Sequence, residues 1–289
     1  MVFSAPEVEI LSLERVFMTR PIILIIGTRP EGIKMIPLYF ALKQAHLPVL
    51  ICSTTQHSEL LDEVFHLFGV TPDFQLDIMK PGQDLFHITH EGLSKTKAVF
   101  SKVEPKLVLV QGDTTSSMSA ALAAFYLNIP IGHVEAGLRT NDIRNPFPEE
   151  MNRRFISMVA QYHFAPTSQA VANLLAEGID RNAIFCTGNT VTDALRIVQE
   201  GLANKTVMID PLIEQRVEAC KKAGKQIVLL TTHRRESFNG GIESILRAVQ
   251  EFAKTSPEVS FFYPFHPNPK VLEAIEKTQI AKTPNVFMS

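Results

Sequence analysis

The chain has 289 residues, 45% of them hydrophobic, and a formal net charge of −2 with both signs interspersed. That length suits one large or two ordinary α/β domains with real cores, and the charge balance excludes a nucleic-acid track or an anionic membrane surface as the organising partner. Any anion the protein binds must be held by a local cluster of cations. Three cysteines, Cys52, Cys186 and Cys220, are odd in number and lack CxxC spacing, which reads as buried free thiols in a reducing cytoplasm. No apolar run reaches the roughly 20 residues a membrane helix needs. The opening stretch carries Glu7, Glu9, Glu14 and Arg15 rather than a basic start and a long apolar core, so it is not read as a signal peptide. Because Met18 lies just before the first strong strand, residues 1–20 are expected to be an N-terminal extension outside the fold.

From Pro21 the run PIILIIG predicts a parallel strand covered on both faces. GTRPEGIK follows and looks like a phosphate loop, but its lysine is one residue out of register and no Ser or Thr follows to hold magnesium. What remains is a turn carrying Arg29 and Lys34 at a strand's carboxyl end, where α/β sheets place ligands; solvated surface cations are the competing reading. Val49 to Ser53 is the next strand, with Gln56 and His57 at its exit. A helix from Glu59 to Phe68 should bury Leu60, Leu61, Val64, Phe65 and Phe68. His87 and His90 lie three apart on the next helix, but no third ligand at metal spacing accompanies them.

Leu107 to Val110 empties into QGDTT, which places Asp113 at a strand end either as a site residue or as a helix N-cap. IPIGHV then ends on Glu135. Strands alternating with helices argue a doubly wound sheet whose strand ends converge along one edge. Between that strand and the next helix runs HVEAGLRTNDIRNPFPEEMNRR, with Glu135 and Glu149 at opposite ends of one lip. Pro148 suits a helix start, Glu149 and Glu150 suit its positive end, and Met151, Phe155, Met158 and Val159 are the expected buried stripe. Arg153 and Arg154 can pair with the acids or face a ligand. After AIFCTGN the pattern changes, and Gly188–Asn189 is the expected hinge to a second domain. There Gln226 to Leu230 leads to His233, Arg234 and Arg235, and Ser260 to Tyr263 leads to His266.

Acids and cations gathered at strand ends suit a small, polar, phosphorylated substrate. GxSxG, GxGxxG, HExxH and kinase signatures are absent. Carboxylates facing a sugar from two sides could serve proton transfer at carbon or glycoside chemistry.

GTRPEGIKM, QGDTT, GHVEAGLRT, PFPEEMNRR, TGNTVTDAL, THRRESF and YPFHPNP, in that order from Gly27 to Pro269, together resemble the bacterial non-hydrolysing UDP-N-acetylglucosamine 2-epimerases. Leu138 within EAGLRT favours that substrate over uronic-acid relatives. The resemblance implies an α/β fold of two Rossmann-like doubly wound domains, GT-B-like, with the nucleotide sugar in the interdomain cleft. Residues 21–187 would be the N-terminal domain and residues 188–289 part of a C-terminal nucleotide-binding domain. It implies an isomerase that inverts carbon 2 through elimination of UDP and a 2-acetamidoglucal, with no metal and no other cofactor. Residue by residue, it carries Asp113, Glu135, Glu149 and His233 over as catalytic. Arg29, Lys34, Arg153 and His266 become substrate-binding, with Arg29, Lys34 and His233 around the diphosphate. Gln56, Gln83 and Arg234, with His266 beside them, match a second, activating UDP-N-acetylglucosamine site. A homodimer is implied; nucleic acid and membrane are not.

Two departures from the family pattern stand out. Gln111 occupies a place where the family commonly has His, a change expected to act on Asp113. The chain also stops at Ser289, before the family's Ser-Gly-Gly loop and closing helix, so the second domain is expected to be incomplete with an exposed sheet edge. The 289-residue chain alone is accordingly expected to be weakly active or inactive. The alternatives are a nucleotide-sugar-binding remnant without turnover and a GT-B glycosyltransferase.

Overall fold

A computed structural model describes residues 20–54, 59–78, 80, 82–232, 241–265 and 268–289. The expected extension, apart from Arg20, and the candidate residues Gln56, His233, Arg234 and His266 lie outside the described residues. The chain divides into two compact units, one through Val207 and one from Met208 to Ser289.

The first unit is a seven-stranded, wholly parallel sheet in the order β3-β2-β1-β4-β5-β6-β7. Its strands are β1 (Ile22–Ile26), β2 (Val49–Ser53), β3 (Phe74–Gln75), β4 (Leu107–Gln111), β5 (Ile131–Val134), β6 (Tyr162–Ala165) and β7 (Ile184–Cys186). The helices between them are α1 (Arg29–Gln44), α2 (Glu59–Leu67), α3 (Leu85–Val103), α4 (Thr115–Tyr126), α5 (Glu149–Val159), α6 (Ser168–Ala176) and α7 (Val191–Ala203). Parallel strands need crossovers, and crossovers cover both faces, so every residue of β1 is buried. Strand period 2 then splits the core. Ile22, Leu24 and Ile26 pack with Met35, Ile36, Leu61, Val64 and Phe65 of α1 and α2. Ile23 and Ile25 pack on the other face with Phe100, Ala120, Ala124 and Ile156 of α3, α4 and α5. In α2, Leu61, Val64 and Phe65 are buried as expected, whereas Leu60 is largely exposed at the stripe's edge.

Strand order reverses direction between β1 and β4, which makes their carboxyl ends the topological switch point. The turns after β1, β4 and β5 all open there.

The expected hinge at Gly188–Asn189 precedes the division between compact units, because α7 packs on α1 and stays with the first unit. Thr190 Oγ1 donates to the Lys34 carbonyl at 2.6 Å and adds to that attachment. The second unit holds α8 (Pro211–Lys222), β8 (Gln226–Leu229), α9 (Gly241–Thr255), β9 (Val259–Tyr263), α10 (Pro269–Thr278) and β10 (Val286–Met288). Its sheet is parallel in the order β10-β9-β8 and centres on Tyr263, Phe261, Leu246 and Val271. All four residues of the edge strand β8 are exposed.

The cysteines depart partly from expectation. Cys52 and Cys220 are buried free thiols, and burial pushes the Cys52 thiol up to about 12. Cys186, at the end of the edge strand β7, is exposed. Among the described residues no helix is long and apolar enough to cross a membrane.

Candidate active site

The site begins at the turn after β1. Thr28 caps α1, Pro30 occupies its first turn, and Glu31 turns inward rather than toward solvent. Glu31 is 1% exposed and accepts hydrogen bonds from Gly27 N (2.7 Å), Thr114 Oγ1 (2.7 Å) and Ser117 Oγ (2.7 Å). One carboxylate thus ties the β1–α1 turn to the start of α4 across the switch point. Burial raises its pKa, and the bonds from Thr114, Ser117 and Gly27 offset only part of that rise. Glu31 was not among the candidate residues, because an acid in a helix's first turn ordinarily serves the dipole.

Asp113 follows β4 and is not the cap of the next helix. Thr114 takes that role, its hydroxyl accepting from Ser117 N at 3.1 Å. The Asp113 carboxylate is therefore left for other work. Arg153, one turn into α5, binds it directly. Burial nevertheless pushes the Asp113 pKa upward; Arg153 pulls against it, while Glu149 and Glu135 add to the rise. Those last two influences place the three expected acids in one electrostatic neighbourhood.

Glu135 terminates β5 with φ +63°, a left-handed conformation uncommon outside glycine. Its carboxylate accepts from Lys34 Nζ at 2.5 Å, from Asn189 Nδ2 at 2.9 Å and from Gln111 Nε2. Gln111, expected to act on Asp113, makes its side-chain hydrogen bond to Glu135. Lys34, expected at a diphosphate, is placed on Glu135, and Arg29 is exposed on the first turn of α1.

The lip is clamped at its base. Ala136 N donates to Phe164 O at 3.1 Å. Gly137 has φ +88°, and a Cβ there would lie 2.3 Å from the Ala170 carbonyl oxygen, so only glycine fits. Arg139, with 2% of its side chain exposed, donates to both oxygens of Glu177 at 2.7 Å, to Leu138 O at 2.7 Å and to Ser157 Oγ at 3.0 Å. Those bonds hold the lip against α5 and α6.

At the far end of the lip Glu149 is half-buried and Glu150 fully buried. Glu150 takes the structural part. It accepts from Thr140 N at 3.1 Å and Arg154 Nε at 3.0 Å, and Arg153 lies 3.4 Å away. Burial acts to raise its pKa, but these partners outweigh it and the net direction is down. The expected apolar stripe of α5 holds only in part: Val159 is buried and Phe155 packs half-buried against the core, but the two methionines do not turn inward. Met158 and Met151 are 76% and 39% exposed, and the inward residues are Glu150, Asn152, Ile156, Ser157 and Val159. The physical reason is partnership: Asn152 donates to Asp113 O at 2.9 Å and Ser157 meets Arg139, so the polar residues hold buried places that periodicity gave to methionine.

Other sequence candidates stand apart. Gln83 accepts from Lys80 N at 2.9 Å in the turn before α3. His87 Nε2 meets the Ile78 carbonyl at 3.0 Å and His90 meets Glu91 at 3.2 Å, and no cluster of three metal-ligating side chains occurs among the described residues.

A doubly wound parallel sheet with three acids, Lys34 and Arg153 at its switch point defines an α/β protein built to handle a small polar ligand at its strand ends. Comparison with known proteins makes that class specific. The family model for UDP-N-acetylglucosamine 2-epimerase matches residues 41–288. The UDP-N-acetylglucosamine 2-epimerase of Yersinia pestis is 48% identical over 257 residues, covering 89% of this chain and 68% of its own length. The Salmonella typhimurium enzyme of the same name is 46% identical over the same extent. Among solved structures, the Neisseria meningitidis UDP-GlcNAc 2-epimerase bound to UDP-GlcNAc superposes with a TM-score of 0.82 at 41% identity, covering 93% of this chain and 71% of that one. The chain belongs to the UDP-N-acetylglucosamine 2-epimerase family.

Proposed function

We propose that the protein interconverts UDP-N-acetylglucosamine and UDP-N-acetylmannosamine by inverting carbon 2 through elimination and re-addition of UDP. A carboxylate removes the carbon-2 proton, its electron pair forms the C1=C2 bond, and the C1–O bond breaks to release UDP and 2-acetamidoglucal. In re-addition a phosphate oxygen returns to C1 while an acid delivers a proton to the opposite face of carbon 2. Two proton-transfer groups on two faces are therefore required.

The observation that carries this reading is Asp113, whose pKa burial raises while Arg153 orients its carboxylate, in one neighbourhood with Glu135 and Glu149. A carboxylate whose protonated form is favoured by burial can serve as acid as well as base, as carbon acid chemistry requires. In this reading Asp113, Glu135 and Glu149 share the proton transfers. Lys34, Arg29 and Arg153 supply positive charge for the departing diphosphate; His233 and His266, outside the described residues, are assigned to the same ligand from the sequence alone. Lys34 then exchanges Glu135 for phosphate oxygen when the ligand enters. Use of a second UDP-N-acetylglucosamine as activator, assembly as a homodimer and a cytoplasmic location belong to the same proposal.

Incubation with UDP-N-acetylglucosamine in deuterated water tests it. Deuterium at carbon 2 together with UDP-N-acetylmannosamine, even at a low rate, is the expected result. Sugar binding without exchange would make the protein a binding module, transfer to an acceptor would make it a glycosyltransferase, and free N-acetylmannosamine would make it a hydrolysing enzyme.

A further inference from the structure

The peptide groups on either side of Asp113 are held by two side chains that no part of the proposed chemistry uses. Gly112, at φ +69°, donates its N–H to Val134 O at 3.0 Å. Its carbonyl accepts from His133 Nε2 at 2.7 Å. On the other side, the Asp113 carbonyl accepts from Asn152 Nδ2 at 2.9 Å, and Asn152 also reaches Thr115 Oγ1 at 3.3 Å. His133 and Asn152 are both 0% exposed, one on the middle of β5 and the other on the first turn of α5. Asp113 is thus suspended between a strand and a helix by its backbone, while Arg153 aims its carboxylate.

The geometry fixes the state of His133. A carbonyl oxygen can only accept, so Nε2 carries the proton. His133 Nδ1 is buried with no partner among the described residues, which leaves it as the unprotonated ring nitrogen. Burial, with His163, Arg139 and Arg153 nearby, holds the ring's pKa down at about 3, so the ring stays neutral throughout the working range. A charged ring would face those two guanidinium groups from inside the protein.

We infer that His133 and Asn152 are positioning residues that fix the backbone on both sides of Asp113, His133 acting as a neutral Nε2–H donor to the Gly112 carbonyl. The inference rests on the reading of Asp113 as a proton-transfer group. It predicts that losing the donor lets the Gly112 turn relax and draws the Asp113 carboxylate away from Arg153, whose influence lowers its pKa.

The test uses the full chain with three variants, His133→Met, His133→Gln and Asp113→Asn. Ring ¹⁵N spectra of the unsubstituted protein are expected to show Nε2 protonated and Nδ1 bare, unchanged between pH 5.5 and 8. The ¹³C titration of the Asp113 carboxyl is expected to move up by about half a unit or more in His133→Met. In His133→Gln, whose amide reaches nearly the same point, it should return toward the original value. With substrate, His133→Met should lower kcat roughly tenfold with little change in KM, and His133→Gln should recover most of it. An Nδ1–H tautomer, a midpoint that shifts upon acidification within that range, or an unmoved Asp113 titration in both His133 variants would overturn the inference. If His133→Met fails to fold, the ring ¹⁵N tautomer and its constancy with pH still decide. Full exchange by Asp113→Asn would instead remove the proposed role of Asp113 and leave the positioning geometry standing.

Discussion

Arg139 offers the sharpest test of how the lip is held, through Arg139→Lys. The guanidinium makes four hydrogen bonds, two in a fork to Glu177 and one each to Leu138 O and Ser157 Oγ, with 2% of its side chain exposed. An ammonium keeps the charge but is a point donor; it can serve one Glu177 oxygen and one other acceptor at most. Two of these charge-assisted bonds are lost, one to the Glu177 carboxylate and one to an uncharged acceptor, each contributing about 1–2 kcal/mol once water competition is counted. Glu177 retains Arg154 at 3.1 Å and is partly solvated, which moderates the loss, so we expect about 2–3 kcal/mol. In urea unfolding followed by far-UV circular dichroism, the first unit's midpoint should fall by roughly 1 M. Amide exchange should rise in the peptide covering residues 136–148. The effect should also depend on pH with a definite sign. The hydrogen bond from Arg139 holds the Glu177 pKa below its ordinary 4.5, so the stabilisation is complete above that value and fades as pH falls through the folded value. A midpoint change under about 0.3 M at pH 7, or an equal change at pH 4 and pH 7, would refute the clamp.

Three further outcomes follow from the same geometry. Gly137→Ala should destabilise by at least about 2 kcal/mol, because the new Cβ meets the Ala170 carbonyl, whereas Gly178→Ala, with an open site at φ +82°, should cost only about 1 kcal/mol; equal costs in thermal unfolding would count against the close approach. Glu31 has a folded pKa raised above 4.5, so its contribution to stability is greatest at low pH and is lost as pH rises through the folded value. The stability of the original protein relative to Glu31→Gln should therefore decline as pH rises from below 4.5 through the folded value, and a constant difference would contradict the assignment. Gln111→Leu removes a buried donor to Glu135 and should reduce carbon-2 exchange about tenfold or more while leaving the Asp113 titration in place; a shifted Asp113 with unchanged exchange would reverse that assignment.

How much of this was legible in the sequence depended on the range of the interaction that decided it. Strands β1 and β4 were legible because two-sided burial writes itself as a nearly continuous apolar run, and the helix at Pro148 because proline and two acids mark a start locally. Asp113 and Glu135 drew notice because each lies just past the carboxyl end of a strand. The partners were not legible. Arg153 is 40 residues from Asp113 and Lys34 is 101 from Glu135, and only the closing of the sheet brings them together. The error on α5 has one cause. Helical periodicity weighs apolar side chains alone, so Met151 and Met158 were expected inside. Buried places there went to Glu150, Asn152 and Ser157 because Thr140, Asp113 and Arg139 supply hydrogen bonds that a methionine would leave unmade. A buried polar group is stable only where distant residues satisfy it. Glu31 shows how such a residue could be found: it lies between Gly27, where a Cβ would meet Thr54 Oγ1 at 2.5 Å, and Gly32, and its donors come from the Thr- and Ser-rich start of α4. An acid set among glycines at a switch point, with hydroxyls at the facing helix start, has room and donors to turn inward, and that pairing can be sought before any coordinates exist.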